Sequence, residues 1–132
     1  WYARGNVFNC FNVGEGAIGG VAGLTIGDVE LKNVYNLSVN SPVVWKTWNN
    51  GTTIPTQVIE NCYGVNGKAI VQNNNNSVDL STCKTFDPTS LKFSDNTTLV
   101  DALNAWVEEN IDEYPELKYW EEGDDGYPVF VD

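Results

Sequence analysis

The sequence contains no histidine and no methionine. Histidine is the commonest general base and a frequent ligand for zinc, copper and iron, so its absence excludes Ser-His-Asp triads, Cys-His dyads and HExxH metalloproteases. Paired carboxylates can support glycoside cleavage, but spacing singles out no pair in this chain. We therefore expect no catalytic residues, no metal ligands and no cofactor.

Basic residues are scarce: 7 lysines and arginines accompany 18 acidic residues, and the formal net charge is −11. Nucleic acids and anionic membrane surfaces both select proteins rich in Lys and Arg. No apolar run is long enough to span a bilayer, and no basic segment followed by an apolar stretch opens the chain. The composition thus predicts neither a nucleic-acid partner nor membrane insertion.

Three segments of the chain align without gaps, starting at Val7, Leu31 and Ile59, and they read VFNCFNV, LKNVYNL and IENCYGV. Recurrence at such an interval is typical of stacked repeats, each of which buries its apolar side against the next. Because β-branched and aromatic residues dominate and Gly and Asn flank them, the segments predict short strands. We expect a mainly β fold: an irregular β-solenoid, similar to a parallel β-helix, of about three layers.

An asparagine occupies the third column of these segments, at Asn9, Asn33 and Asn61. In a regular strand, side chains of the first column and of the fourth column would point to opposite faces. They can share one face only if the chain bends between them. Asparagine tolerates the left-handed conformation that such a bend requires. We predict a bend at this column, with the asparagines forming either an inward ladder of stacked amides or a row of solvated turn residues.

The next column contains Cys10, Val34 and Cys62, and a third cysteine follows at Cys83. The number is odd, and the C-x-x-C spacing of zinc and redox sites is absent. With neighbouring strands about 4.8 Å apart, Cys10 and Cys62 lie two layers from each other, too far for a disulfide. We predict buried thiols. Cys83 reaches another cysteine only if the chain folds back, and its state stays open.

The stretch Gly19-Gly20-Val21-Ala22-Gly23, followed by Asn33-Val34-Tyr35-Asn36, resembles the GLUG motif of repeat regions in large bacterial surface and secreted proteins. Residues 9–14 and 61–64 resemble further copies of its second half, so the likeness covers residues 5–67. The resemblance implies a solenoid-like module without activity of its own, extracellular and either secreted or attached to the bacterial cell surface. Residues 42–57 depart from the pattern by replacing a second Gly-Gly strand with a longer insertion, which leaves regular stacking beyond the second layer open.

The last third of the chain carries the whole charge imbalance, since twelve acidic residues from Asp95 onward accompany the single base Lys118. Thr98 and Asp101 have the spacing of a capping box, and the helical spacing of the apolar residues after them predicts a helix over residues 99–110. Residues 117–120 and 127–130 predict a β-hairpin around the acidic turn 121–126. We expect residues 1–94 to form the solenoid and residues 95–132 to cap its open end, packed as one domain.

Two features are candidate binding sites. The acidic turn 121–126 offers the oxygen ligands that calcium prefers, but its spacing matches no EF-hand or calcium-binding repeat, so we predict a solvated turn. Trp45 and Trp48 lie in the insertion, and exposed indoles offer flat faces on which sugar rings stack. The alternative is that both indoles pack against the solenoid.

The sequence supports three functional hypotheses for a segment of a larger protein. Because the chain starts at Trp1 and lacks Met, we expect a mature or excised segment of a larger parent protein with neighbouring domains. The favoured function is a non-catalytic surface module for structural display or adhesion, whose partners are host or wall glycans or matrix proteins. One alternative is a carbohydrate-binding module that uses Trp45 and Trp48. Another is an accessory domain of a large secreted hydrolase, either a protease or a glycosidase.

Overall fold

The computed structural model describes residues 2–15, 19–49 and 51–132, and all of their side chains except those of Tyr2 and Arg4. The fold is mainly β, with a parallel β-solenoid of about three turns, one C-terminal helix and a β-hairpin, which confirms the predicted fold class. The elements in chain order are β1 (Tyr2–Asn12), β2 (Ala22–Asn36), β3 (Val44–Trp48), β4 (Gln57–Val65), β5 (Val71–Asn74), β6 (Lys84–Phe86), α1 (Leu99–Asn110), β7 (Trp120–Glu122) and β8 (Pro128–Phe130).

The part of the chain that the structure describes has no helix of the length and apolar character needed to cross a membrane.

The solenoid is built in successive levels: β1 is the first, β2 the second, β3 with β4 the third, and β5 with β6 the last. One face of the stack pairs β1, β2, β4 and β6 in parallel, and the other face pairs the first part of β2 with β3 and then β5. Cys10 aligns with Val34, and Val34 with Cys62, so the gapless alignment of the three segments is confirmed.

The strand β2 contributes to both faces because it turns a corner at Gly27. Its residues Ala22–Ile26 pair with β3, whereas the residues from Val29 to Tyr35 pair with β4. Gly27 has a φ of +69°, a left-handed conformation that glycine adopts without steric cost. The corner therefore lets one continuous strand cover two sides of the coil.

The insertion at residues 42–57 keeps the stack regular. It supplies β3, which pairs with β2 through Ala22 opposite Val44, and the backbone N–H of Gly20 donates to the carbonyl of Pro42 over 2.8 Å. The next levels, β5 and β6, continue in parallel register. Regular stacking therefore continues beyond the second level, although residues 42–57 depart from the motif.

Gly20 is held in close contact with the second asparagine of the motif. A Cβ atom at Gly20 would lie 2.1 Å from the Asn36 amide carbon. The Asn36 amide has no room to move away: Asn12 Nδ2 donates to its Oδ1 over 2.8 Å, and its own Nδ2 donates to the Ser41 carbonyl over 3.0 Å. Gly20 and Asn36 are therefore complementary parts of one contact within the second level, between the start and the end of the same coil.

The predicted bend at the asparagine column is confirmed. Asn9, Asn33 and Asn61 have positive φ angles of 53°, 54° and 49°. The bend resets the alternation of side chains, so that Leu31 and Val34 both enter the coil interior. Asn33 lies between them on the outer face of β2, where its amide reaches the carbonyl of Leu103 in α1.

The asparagines at the bend form a short amide ladder. Asn33 Nδ2 donates to Asn9 Oδ1 over 2.8 Å and to the Leu103 carbonyl over 3.1 Å. Asn9 Nδ2 in turn donates to the Lys118 carbonyl over 2.9 Å. The ladder alternative is confirmed for these two levels, but the expectation that it points inward is wrong, because the amides face the C-terminal segment.

The ladder ends at the second level. Asn61 Nδ2 lies 3.4 Å from the hydroxyl of Tyr63, two residues away. Asn33 Oδ1 is buried and has no hydrogen-bond partner among the described residues. The amide of Asn61 thus takes a local partner and does not extend the ladder to the third level.

The helix α1 packs along the side of the solenoid, so the prediction that it covers the open end is wrong. The aromatic column that follows the bend faces outward, and Tyr35 and Tyr63 enter a second core with residues of α1. Phe8 of the first level also lies against Trp106, with ring centroids 5.9 Å apart. Because the side chains of this outward column are large and aromatic, covering them removes much apolar surface from water. The second core comprises Tyr35, Tyr63, Val65, Phe86, Phe93, Leu99, Leu103, Trp106, Val107 and Trp120.

The local predictions for the C-terminal part hold. The helix spans Leu99–Asn110 as expected, and Thr98 caps it by accepting the backbone N–H of Asp101 over 3.1 Å. The hairpin is present, although its first strand begins at Trp120. The Tyr35 hydroxyl donates to the Pro128 carbonyl over 2.6 Å, which ties the hairpin to the second level.

Removal of the Asn33 amide will show how much the ladder stabilises the fold. We expect Asn33→Gly to lower the free energy of unfolding by about 2 kcal/mol more than Asn61→Gly, because only Asn33 has buried hydrogen bonds to lose. Both variants keep access to the left-handed conformation and share the entropic cost of glycine. Urea unfolding measures the difference, and equal losses for the two variants would contradict the ladder.

The contact at Gly20 predicts a strong steric effect. We expect Gly20→Ala to lower the free energy of unfolding by about 2–3 kcal/mol, since the new methyl group displaces a buried and fully engaged amide. Gly14→Ala is the matched control: its Cβ would meet Asn12 Oδ1 at 3.6 Å, an ordinary contact. Thermal unfolding compares the two, and a Gly20→Ala protein as stable as Gly14→Ala would refute the proposed packing.

The partly buried Cys10 thiol predicts alkaline destabilisation. Burial raises the pKa of Cys10 from 9.0 to about 11, so the stability gained from the protonated thiol is complete below pH 9 and is lost as the pH rises through 11. We expect the wild type to lose about 1.4 kcal/mol per pH unit more than Cys10→Val in this window. Valine is a matched replacement because Val34 occupies the same column. Parallel stability curves, measured by urea unfolding under reducing conditions, would count against a raised pKa of the Cys10 thiol.

Candidate functional site

The two candidate tryptophans lie on β3, but the structure does not bring them into one site. Trp48, at the end of the strand, is 41% exposed, whereas Trp45 is half-buried. Trp48 lines a surface groove of about 700 Å³, and Trp45 is not among the residues that line it. Of the two candidates, only Trp48 therefore lies at the groove. Half-buried Trp45 agrees better with the alternative that the indole packs against the solenoid.

The groove lies where the coil turns between its two faces. The corner at Gly27 in the second level forms one wall, and the segment after β3 in the third level forms the other. Trp48 stands beside it, since it pairs with Ile26 at the end of β3. The groove is lined by Ile26, Gly27, Asp28, Trp48, Asn49, Thr53, Ile54, Pro55 and Thr56.

Hydrogen bonds hold the two walls together. Asp28 Oδ1 accepts the backbone N–H of Thr56 over 2.8 Å, and the Thr56 carbonyl accepts the N–H of Val29 over 3.0 Å. Asn49 Nδ2 donates to Asn76 Oδ1 over 2.6 Å, which links the groove to the last level. The walls are therefore fixed to three successive levels of the solenoid.

A polar network inside the coil supports this corner. Gln57 Nε2 donates to the carbonyls of Thr25 and Gly27, over 3.0 Å in both cases. The buried hydroxyl of Thr25 donates to Gln57 Oε1 over 3.1 Å, and Asn76 Nδ2 donates to the same oxygen over 3.0 Å. Since buried polar groups resist rearrangement once they are satisfied, the corner is preorganised.

The groove combines an apolar platform with a carboxylate. The Trp48 indole offers a flat face, and Ile54, 74% exposed, adds a second apolar surface. Asp28 uses one oxygen for Thr56, and its other oxygen has no hydrogen-bond partner among the described residues. Such a surface can stack on the apolar face of a sugar ring while the carboxylate accepts a hydroxyl proton.

Sequence reasoning did not identify Asp28 or Ile54. The two residues are far apart in the chain and belong to different levels, so only the stacked corners bring them together. One signal was present in the sequence: Asp28 follows the glycine at which β2 turns. Loops that share a corner of a solenoid form a common surface.

The acidic turn is closed by its backbone. The Gly123 N–H donates to the Tyr127 carbonyl over 3.0 Å, and the Gly126 N–H donates to the Gly123 carbonyl over 2.8 Å. The Tyr127 hydroxyl donates to Asp125 Oδ2 over 3.1 Å, and this hydrogen bond raises the pKa of Tyr127. Within residues 2–15, 19–49 and 51–132, no cluster of three or more His, Cys, Asp or Glu side chains is arranged to hold a metal ion.

Comparison of the chain with protein-family models, with curated proteins and with solved structures finds no match in any of the three.

Proposed function

We propose that this chain is a non-catalytic repeat module of an extracellular bacterial protein, secreted or attached to the cell surface, that serves in structural display or adhesion. The observation that carries the proposal is the use of the motif residues. Gly20 packs against Asn36 within the second level, Asn36 accepts a hydrogen bond from the first level, and Asn33 donates to α1. Residues that resemble the GLUG motif thus build the stack.

The architecture supports this role. Each level of a solenoid contacts its neighbours and presents its corners and loops along one side, which gives an extended surface on a rigid support. The net charge of −11 disfavours nucleic acid and anionic lipid as partners. Glycans and matrix proteins of a host, or glycans of the bacterial wall, are the partners that we propose.

The groove at Trp48 favours carbohydrate recognition as a second candidate. Its apolar platform of Trp48 and Ile54 lies beside the Asp28 carboxylate, and the walls are fixed by the hydrogen bonds of Thr56 and Asn49. A preformed site avoids the entropic cost of ordering a loop on binding. In this reading the module adheres by binding a sugar at the corner of the solenoid.

Binding of the purified chain to a panel of glycans and host matrix proteins tests both candidates. We expect selective binding by the wild type and a loss of about tenfold or more in affinity for Trp48→Ala, because removing a stacked indole costs about 1.4 kcal/mol or more. Trp45→Ala is the matched control, since it removes an indole from the same strand that does not line the groove. Circular dichroism verifies that both variants are folded.

The outcomes separate the candidates. Binding to glycans that is lost in folded Trp48→Ala supports carbohydrate recognition. Binding to a matrix protein that survives in Trp48→Ala supports adhesion through another surface and overturns the carbohydrate candidate. No binding by the wild type contradicts adhesion and leaves structural display.

A further inference from the structure

Cys62 and Cys83 are neighbours in the stack, one level apart. Tyr63 pairs with Lys84, and the backbone N–H of Asn61 donates to the Thr82 hydroxyl over 3.0 Å, so the positions on both sides of the cysteines are aligned. Aligned residues on adjacent strands are separated by about 4.8 Å, within the Cα–Cα range of about 4.4–6.8 Å that a disulfide requires. The expectation that Cys83 meets another cysteine only by folding back is therefore wrong, because the stack itself brings it to Cys62.

The two thiols point the same way. Cys62 Sγ contacts the carbonyl of Leu31 at 3.4 Å, and Cys83 Sγ contacts the carbonyl of Ile59 at 3.5 Å. Both residues belong to or pack against the apolar core of the coil interior. Both side chains therefore face the interior of the coil.

The environments of the thiols differ in a way that suits exchange chemistry. The neighbouring Cys62 side chain lowers the pKa of Cys83, which is partly exposed. Burial raises the pKa of Cys62, which is fully enclosed. Cys83 is thus the thiol that ionises and meets a reagent first. Cys10 lies two levels from Cys62 and is separated from it by Val34.

We propose that Cys62 and Cys83 form a reversible oxidation site, at which a disulfide joins the third level of the solenoid to the last.

The oxidant is a low-molecular-weight disulfide such as oxidised glutathione. The Cys83 thiolate attacks one sulfur of the reagent, which gives a mixed disulfide on Cys83 and releases one glutathione thiolate. The Cys62 thiol then loses its proton to that thiolate or to solvent and attacks the Cys83 sulfur, which releases the second glutathione. Two electrons pass from the protein thiols to the reagent, and both protons end on the released thiols.

The position of the Cys62–Cys83 disulfide indicates which part of the solenoid it stabilises. β5 and β6 form the last level and are the shortest strands of the solenoid, with 4 and 3 residues. The ends of a stack open first because they are paired on one side only. A disulfide between residues 62 and 83 closes a loop that contains β5 and the segment leading to β6. Oxidation therefore protects the end of the stack from opening.

Peptide mapping tests the site without any variant. The folded protein is equilibrated with excess oxidised glutathione, quenched with acid, denatured, alkylated with iodoacetamide and digested with trypsin. The three cysteines fall in separate tryptic peptides, residues 5–32, 47–68 and 69–84. We expect peptides 47–68 and 69–84 to be linked, the peptide 5–32 to be alkylated at Cys10, and dithiothreitol to reverse the link.

A stability measurement adds a second criterion. We expect oxidation to raise the Tm of the wild type by roughly 10 °C and to leave that of Cys83→Ala unchanged. The variant Cys10→Val is the matched control and retains the full shift. The proposal is overturned if iodoacetamide still alkylates all three cysteines after the oxidation step. It is also overturned if the disulfide includes the peptide 5–32, or if Cys83 forms a stable glutathione adduct and no disulfide with Cys62.

Discussion

The left-handed bend at the asparagine column decides which side chains of β2 enter the coil and which face outward. Without it, Leu31 and Val34 would lie on opposite faces of β2, and no apolar interior would form. With it, both enter the coil, and the residues between and after them, Asn33 and Tyr35, face outward. This outward surface is what α1 and the hairpin cover. One unusual backbone conformation, repeated at Asn9 and Asn61, thus creates two cores from a single set of strands.

Polar side chains organise both cores. On the outer face, the amides of Asn9 and Asn33 bind each other and the carbonyls of the C-terminal segment, while Trp120 Nε1 donates to Asn9 Oδ1 over 2.7 Å. Inside the coil, Gln57 ties the corner of the second level to the third. Buried polar groups cost free energy unless they are paired, so each of these contacts also specifies register. The hydrogen bonds of Gln57 at the corner also fix the shape of the groove at Trp48.

The sequence was sufficient to predict the levels of the stack, the bend and the bounds of α1, because repeated residue types and capping residues are local signals. The position of α1 along the side of the stack was not predictable from such signals, since it depends on how much apolar surface each face of the finished solenoid exposes. The groove combines Asp28 with Ile54 across two levels, and neither residue belongs to a motif. Cys83 was missed as a neighbour of Cys62 for a similar reason: the segment around it shares little else with the repeat.

The amide ladder has a direction, and that direction limits assembly. Asn33 donates to Asn9, and Asn9 donates to the main-chain carbonyl of Lys118, which stands where the amide oxygen of a further level would stand. A stack of equivalent coils has no inherent length and can polymerise end to end. Here the backbone carbonyl of Lys118, in the C-terminal segment, takes the place that the next asparagine of the ladder would occupy. A coil of a second copy would therefore extend the ladder at this end only after that segment detaches.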